Sequence, residues 1–549
     1  MHFLFVRCSL DTARHNDDER TAMSDDDVLI VGAGPTGLTL AIELARRGAG
    51  VRIVDAAPVP HQHSHAKGVQ ARTVEVLEDV GVAERVLDVG LTHLPFRKYF
   101  DGVHVSDTDP FADVAPTPDA PYDSGVLLGQ WQLEEILRER LAEFGIGVEL
   151  GTEVAGFEQD ADGVTATLAD GGRIGAAYLA GCDGGRSGIR RALGVRFDGT
   201  TDEAQAMVCG DVEAEGVPRD VWHQWFTSEG GGVLLCPLPG TDRFQFQAGP
   251  ELDERGRQTP PSLESFQRIF DRYARMPGVR LANPTWLSTW RSNVRMVDRM
   301  RVGRVFLVGD SAHVHPIAGG LGMNTGIQDA YNLGWKLALV TTGGAGPALL
   351  DTYEEERLPV AAWTLDVTNE ALHRAIEAVR EPGTGIESAA PPPMGTGYRW
   401  SSLAAAARTG DATGSPVDSS TGTPVGDPAV LRPGDRAPDA PCLDASGRPV
   451  RLFQVYADPR FTLLGFGPEV ADAVGKLGAE YAGLVQAFAV DAGDTEDLRD
   501  HEGHARRAYG VTDPALVLVR PDNHVALLTR DPADVANYLT RIGTFTPKE

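Results

Sequence analysis

Val28-Leu29-Ile30-Val31-Gly32-Ala33-Gly34-Pro35-Thr36-Gly37 is a short apolar, β-branched run that breaks into three glycines at the spacing G-x-G-x-x-G. The run has the character of a strand buried on both faces. Beyond it Leu38, Ala41, Ile42 and Ala45 recur at helical spacing, and Gly48 stands where a helix would end. Val51-Arg52-Ile53-Val54 is the next strand and closes on Asp55. Strand, glycine turn, helix, strand and acid in that order make a dinucleotide-binding unit. Gly32 permits the tight turn, and Gly34 lets the backbone approach a pyrophosphate. Gly37 lets helix and strand pack closely, while Pro35 and Thr36 open a helix whose first N–H groups face the phosphates. Asp55 lies where an acid that binds the ribose is expected. The unit alone does not choose between FAD and NAD, and a glycine turn without a ligand is its bland alternative.

A second stretch far downstream narrows the choice. Arg304-Val305-Phe306-Leu307-Val308 is another buried strand, ending in Gly309-Asp310-Ser311-Ala312-His313. Gly319, Gly320 and Gly322 then lead into a long helix from about Asn324, with Ile327, Tyr331, Leu333, Leu337 and Val340 as its apolar positions. An aspartate at a strand end accepts bonds from sugar or ribityl hydroxyls, and a helix N-terminus behind a glycine loop stabilises negative charge. A dehydrogenase that held NAD through the first motif would have no need of this second site.

Three elements together resemble the class A FAD-dependent aromatic hydroxylases, the para-hydroxybenzoate hydroxylase and phenol hydroxylase superfamily. They are Gly32–Gly37 with Asp55, Gly181-Cys182-Asp183-Gly184-Gly185-Arg186-Ser187, and Gly309-Asp310 through Asn324 and on to Leu337. Within that superfamily the chain is most similar to the hydroxylases that tailor aromatic polyketides and to rifampicin monooxygenase, over roughly residues 25–380. The resemblance implies FAD as cofactor, NADPH or NADH as transient reductant, and hydroxylation of an electron-rich ring through a flavin C4a-hydroperoxide. It assigns Asp55 to the adenosine ribose, and Arg72 and Gln130 to the neighbourhood of the flavin. Asp183-Gly184 goes to FAD and nicotinamide-nucleotide binding, and Asp310 to the ribityl and pyrophosphate region. The backbone around Gly320, Gly322, Met323 and Asn324 would face the flavin pyrimidine edge, where negative charge develops. Read from the residues alone, Arg72 is equally a surface helix cation and Asp183-Gly184 a simple turn. The chain departs from the family at Ile317 (the usual proline), at Leu321 (the usual glutamine) and at His65 in Ser64-His65-Ala66 (a frequent flavin-contacting arginine), with Lys67 as a candidate substitute.

Residues 200–300 break the helix–strand alternation. Val233–Leu238 and the strictly alternating Arg243–Ala248 read as strands of an antiparallel sheet, which in the family covers the substrate. Trp222, Trp225, Phe226, Phe244, Phe246, Trp286 and Trp290 are candidates for an apolar pocket, with sheet core as their alternative. His313 and His315 lie beside the glycine loop, but no residue is assigned as catalytic. Residues 381–434 are rich in Pro, Gly, Ser, Thr and Ala and read as a linker. From 435 to 549 an α/β order resumes that resembles the thioredoxin-like C-terminal domain of phenol hydroxylases. Gly467-Pro468-Glu469 stands where a redox CxxC would be, so a structural or dimer-supporting role is expected.

The expected architecture is therefore α/β. A Rossmann-like FAD domain (24–199 and 301–380) is interleaved with an antiparallel-sheet substrate domain (200–300) and followed by the C-terminal unit. A net charge of −28 over 549 residues leaves no basic surplus for nucleic acid, and no apolar run is long enough for a bilayer. Five scattered cysteines form no disulfide or metal pattern and fit a cytoplasmic protein. Residues 1–23 read as a disordered extension, with Met23 an alternative start. The expected partners are an aromatic small molecule and O₂, in a monomer or homodimer. The alternatives that stay open are Baeyer–Villiger or epoxidising oxygen insertion on the same scaffold, and a catalytically impaired flavin-binding assembly subunit.

Overall fold

The computed structural model describes residues 27–122, 124–316, 318–382, 385–389, 397–404, 431–493, 496–511 and 514–543. The expected N-terminal extension, Met23, Ile317 and most of the 381–434 connection lie outside them.

The first sheet has six strands in the order Arg301–Val302, Val305–Leu307, Tyr178–Gly181, Val28–Val31, Val51–Val54 and Val148–Glu149. All pair in parallel except the antiparallel hairpin at the Arg301 edge. Val28–Val31 is central and buried on both faces, as an apolar run without alternation requires. Topology thus sets the ends of Val31, Gly181 and Leu307 side by side, although they are far apart in sequence. The helix Pro35–Ala45 packs on the long helix Leu321–Thr341, and their shared core includes Leu38, Ile42, Ile327 and Leu333.

The second sheet has eight strands: His313–Val314, Leu281–Val297, Phe197–Ala214, Arg243–Ala248, Gly232–Pro237, Trp222–Phe226, Phe96–Phe100 and Val103–Thr108. Its two long strands, of 18 and 17 residues, pair antiparallel with two register shifts. Its far edge comes from residues 96–108, outside the expected 200–300 block, and Phe96–Phe100 pairs parallel with Trp222–Phe226. Phe244 and Phe246 point into a core with Trp225, Phe266 and Phe270. Alternation therefore leaves Gln245 and Gln247 on the opposite face.

The C-terminal unit carries a seven-stranded mixed sheet. At its centre Phe461–Phe466 pairs parallel with Val485–Val490 and antiparallel with Ala515–Val519, which in turn pairs with Val525–Thr529. This unit is fused to the first domain by buried charge. Glu356, on the helix Asp351–Ala378, accepts bonds from Lys336 Nζ at 2.7 Å, Arg520 Nη1 at 2.6 Å and Ser401 Oγ at 2.6 Å. The Lys336, Glu356 and Arg520 side chains are all fully buried. Burial raises the Glu356 carboxyl's pKa, but the Arg520 and Lys336 charges more than offset this and hold it at about 2, against an ordinary 4.5. Because the folded value lies below the unfolded one, the contribution is complete above about pH 4.5 and is lost as pH falls towards 2. Urea-unfolding free energy is therefore expected to drop by on the order of 1 kcal/mol per unit through that window. Glu356→Gln should flatten the slope while lowering stability at neutral pH. An unchanged slope in the variant would remove Glu356 from the acid response.

Candidate cofactor and substrate site

Both glycine motifs end at the same edge of the first sheet. Gly32 has φ +106°, and a Cβ there would sit 2.3 Å from the Cys182 carbonyl oxygen. The turn thus depends on a residue without a side chain. A Cβ on Gly37 would lie 2.0 Å from the Gly32 carbonyl oxygen, so helix and turn pack without a gap. Gly34 differs: its backbone is extended, at φ −73° and ψ −177°, and a Cβ would meet no protein atom within 4 Å. Pro35 holds the first helical position, where its missing N–H costs nothing. Thr36 joins the motifs, because Cβ atoms on Gly309 and Gly326 would lie 2.8 and 2.4 Å from its Oγ1.

At the second motif Gly319 and Gly320 have φ +80° and +60°, and Gly320 caps the Leu321–Thr341 helix. The first N–H groups of that helix have no partner within the helix. Met323 is partly buried against the main core. The Asn324 side chain is committed elsewhere: it accepts Gln70 N–H at 2.8 Å and donates to the carbonyls of Gly68 at 3.0 Å and Gly320 at 2.8 Å. It thus clamps the helix start to the 68–70 segment. Asp310 lies beside Gly322, whose Cβ would be 3.9 Å from Oδ1. Its side chain is exposed to the cleft, although the carboxyl is enclosed by protein on its other sides and burial raises its pKa. No described residue donates a hydrogen bond to it. Leu321, where the family has glutamine, is fully buried against Trp363 and Val367 and takes no part in the cleft's polar lining.

Behind this loop runs a buried chain that sequence reasoning did not assemble. Asp329 accepts from Arg357 Nε at 2.6 Å, bonds His313 Nε2 at 2.6 Å and receives Gly309 N–H at 3.2 Å. His313 Nδ1 lies 2.8 Å from His315 Nε2. With His313 donating to Asp329, its Nδ1 accepts from His315. Burial holds the His315 pKa well below the ordinary value, so the imidazole is neutral. The sequence signal was present in His313-x-His315 and in Asp329 on the following helix, but the contact with Arg357 depends on the packing of two helices.

The other expected residues lie around this cleft. Asp55 receives Ala33 N–H at 2.7 Å and Ala57 N–H at 2.8 Å, pinning the glycine turn. Arg72 is buried, and its Nη1 donates to Glu75 at 2.7 Å, which also pairs with Arg436 of the C-terminal unit. Gln130 accepts Ala66 N–H at 3.1 Å and donates to Glu134 at 2.8 Å. Asp183 Oδ2 caps the helix Gly188–Leu193 by receiving the N–H groups of Gly188 at 2.7 Å and Ile189 at 3.1 Å, and Gly184 follows at φ +75°. Thr36 and Asp310 are brought together around Gly309 and Gly322, while Arg72 is committed to Glu75 and Asp183 keeps a buried Oδ1 without a partner among the described residues.

Facing the cleft segment 61–67 is the polar face of the large sheet. A cavity of about 100 Å³ is lined by His65, Cys209, Gln245, Gln247, Trp286, Ser288, Thr289 and Trp290. His65 packs on Trp286 at 4.6 Å between ring centroids, and its pKa is pushed down to about 4, first by burial and then by His63. Lys67 is turned into the sheet, bonded to Gln245 and 3.5 Å from Gln247 Oε1, with its ammonium 4.4 Å above the Trp222 ring. Of the aromatic candidates, Trp225, Phe244 and Phe246 are core, and Trp286 and Trp290 line the cavity. A larger open hollow of about 450 Å³ near Arg219 and Gly240 shares none of its lining residues with the glycine motifs.

The residues fit a flavin dinucleotide. Gly34 and Gly320 leave open space where side chains would stand, helix N-termini present N–H groups, and Asp310 has a carboxylate without a hydrogen-bond partner among the described residues. Comparison with known proteins agrees. A family model described as an FAD binding domain matches residues 25–368, and one described as aromatic-ring hydroxylase, C-terminal, matches residues 431–543. A flavin-dependent monooxygenase of Mycobacteroides abscessus is 39% identical over 94% of this chain and 99% of its own. The 6-methylpretetramide 4-monooxygenase of Streptomyces rimosus is 36% identical over 91% of this chain and 90% of its own. The solved ternary complex of aklavinone-11 hydroxylase with FAD and aklavinone superposes with TM-score 0.78 at 29% identity, covering 96% of this chain and 99% of that one.

Proposed function

Because the chain belongs to the flavin-dependent monooxygenases that join an FAD binding domain to an aromatic-ring hydroxylase C-terminal domain, we propose that it hydroxylates a phenolic ring of polyketide type. FAD is the resident cofactor, NADPH or NADH the transient reductant and O₂ the co-substrate. The bound flavin supplies the activation of O₂. The chain's own residues bind, orient and exclude water. Gly34 and Thr36 would offer backbone N–H groups to the pyrophosphate at a helix start preset by Pro35, Asp310 would receive ribityl hydroxyls, and the Leu321–Met323 N–H groups would face the pyrimidine edge. Asp55 and Asp183 shape the nucleotide end, and Gln130 fixes the 66–67 segment beside the substrate. The observation that carries this reading is the uncommitted Asp310 carboxylate at the point where Thr36 ties the two glycine motifs together.

The C-terminal unit reads as thioredoxin-like in its central strand order, and Gly467-Pro468-Glu469 in place of CxxC makes it a buttress for the cofactor helix. Division near 200 and 300 separates the two long strands of the large sheet from the first domain, with Phe96–Thr108 and His313–Val314 joining that sheet from outside the block. Four described cysteines, all free thiols, support a reducing, cytoplasmic setting.

The test is release of FAD on denaturation, together with NAD(P)H oxidation stimulated by hydroxyanthraquinones and a product carrying one labelled oxygen atom from O₂. A colourless protein that cannot be reconstituted sinks the flavin reading, and a ring-expanded lactone replaces hydroxylation by Baeyer–Villiger insertion. Asp310→Ala is expected to weaken FAD roughly tenfold to a hundredfold, read by fluorescence titration of apoprotein, because hydrogen bonds to a charged group contribute about 1.5–3 kcal/mol. Unchanged affinity would take Asp310 out of the cofactor's grip.

A further inference from the structure

Lys67 is a half-buried lysine whose ammonium has no carboxylate partner among the described residues. Its contacts are the carbonyl of Gln245, that of Gln247 at 3.5 Å, and the face of Trp222. No ion pair is formed by Lys67 among the described residues. Gln245 is held in place because its own amide donates to the Ser64 carbonyl. Both glutamines line the cavity beside His65 and Trp286. A cation drawn out of water onto neutral partners loses hydration, and an anion delivered from the cavity offsets that cost.

The other titratable groups facing Lys67 do not supply that anion. The Cys209 and Cys236 thiols are pushed up to about 12 by burial and stay protonated. His65 is neutral above its depressed value of about 4. Asp211 is the carboxyl whose charge acts on Lys67. It lies beyond ion-pair distance, its Oδ2 already receives Ser64 N–H at 3.0 Å, and burial raises its pKa. Burial lowers the Lys67 pKa, and an anion placed beside it would restore the charged form. The buried Trp222 indole N–H, also without an acceptor, adds a second donor beside it.

We propose that Lys67 receives an ionised ring oxygen of the substrate, so that the sheet pocket selects acidic phenols and enols and binds them as their conjugate bases. On binding, the phenolic O–H bond breaks, the electron pair stays on oxygen and the proton leaves to solvent. The ring so bound is more electron-rich, which is what an electrophilic oxygen donor needs. This assignment deepens the hydroxylase reading and rests on it for the nature of the substrate.

The experiment titrates 1,2-dihydroxyanthraquinone bound to the oxidised holoenzyme, since the conjugate base of this dye absorbs to the red of flavin. In the wild type the bound dye is expected to ionise at least one pH unit below the free dye, a tenfold gain in ionisation. Lys67→Met should abolish the shift, and Lys67→Arg should keep it. A wild-type dye that ionises as it does in solution, a dye that does not bind, or a shift that survives in Lys67→Met each overturns the proposal. The wild-type titration decides even if Lys67→Met does not fold. Flavin content is read separately from the cofactor released on denaturation, so failure of the flavin reading is distinguishable from failure at Lys67.

Discussion

Replacing Asp329 by alanine is expected to destabilise the protein by about 3–5 kcal/mol in urea unfolding. Asp329, His313 and Arg357 are all fully buried. Burial alone would raise the Asp329 pKa, but Arg357 and then His313 more than offset it and hold the carboxyl below its ordinary value. Removing the carboxylate leaves the guanidinium with the Tyr398 hydroxyl at 2.9 Å and the Thr325 carbonyl at 3.2 Å, neither of which carries charge. It also frees His313 and the Gly309 N–H, the latter in the turn that presents Asp310. Flavin retention should therefore fall together with stability. The double variant Asp329→Leu, Arg357→Met supplies the control. If the loss comes from an uncompensated buried charge, the pair of apolar residues is less damaging than the single alanine. A single variant that costs under about 1 kcal/mol would show that Arg357 is satisfied without Asp329.

Two glycines of the first motif should respond in opposite ways. Gly32→Ala is expected to cost about 2–6 kcal/mol, combining a strained backbone at about 1–3 with overpacking at about 1–3. The φ of +106° and the 2.3 Å approach to the Cys182 carbonyl leave a methyl group no room. Gly34→Ala meets no protein atom within 4 Å, so its melting temperature as apoprotein should match wild type. Its new methyl instead stands where the pyrophosphate approaches, and FAD affinity should collapse. Thermal unfolding of the apoproteins and FAD titration separate the two effects. If Gly34→Ala binds FAD normally, the pyrophosphate does not pass over this turn.

The α/β class, the flavin and the monooxygenase family were legible because each rests on short-range pattern. The change from an apolar strand to helical spacing across Gly32–Gly37 takes under twenty residues, and so does the run from Gly309 into the cofactor helix. Strand alternation likewise separates Gln245 and Gln247 from Phe244 and Phe246 without any knowledge of the fold. What the sequence could not show depends on contacts between distant segments. Residues 96–108 join the large sheet through a parallel pairing with Trp222–Phe226, and no local signal specifies a partner more than 120 residues away. The direction taken by Lys67 was equally hidden. Its neighbours in sequence belong to the cofactor cleft, yet its ammonium is fixed by strands of the other sheet. Arg72 shows both cases: its pairing with Glu75 is visible at helical spacing, whereas the competition from Arg436 for the same carboxylate comes from the far end of the chain.

The junction at Glu356 also sets a timetable for the protein's birth. Glu356 lies 164 residues ahead of Arg520. At roughly 5–20 residues per second, about ten to thirty seconds separate the synthesis of the acid from that of its principal cation. Through that interval Glu356 and Lys336 sit on helices whose shared face has no lid, and the helix that opens at the second glycine motif lacks its final anchor. Tight retention of the yellow cofactor is expected only in chains long enough to include Arg520, which FAD retention by chains truncated before that residue would check.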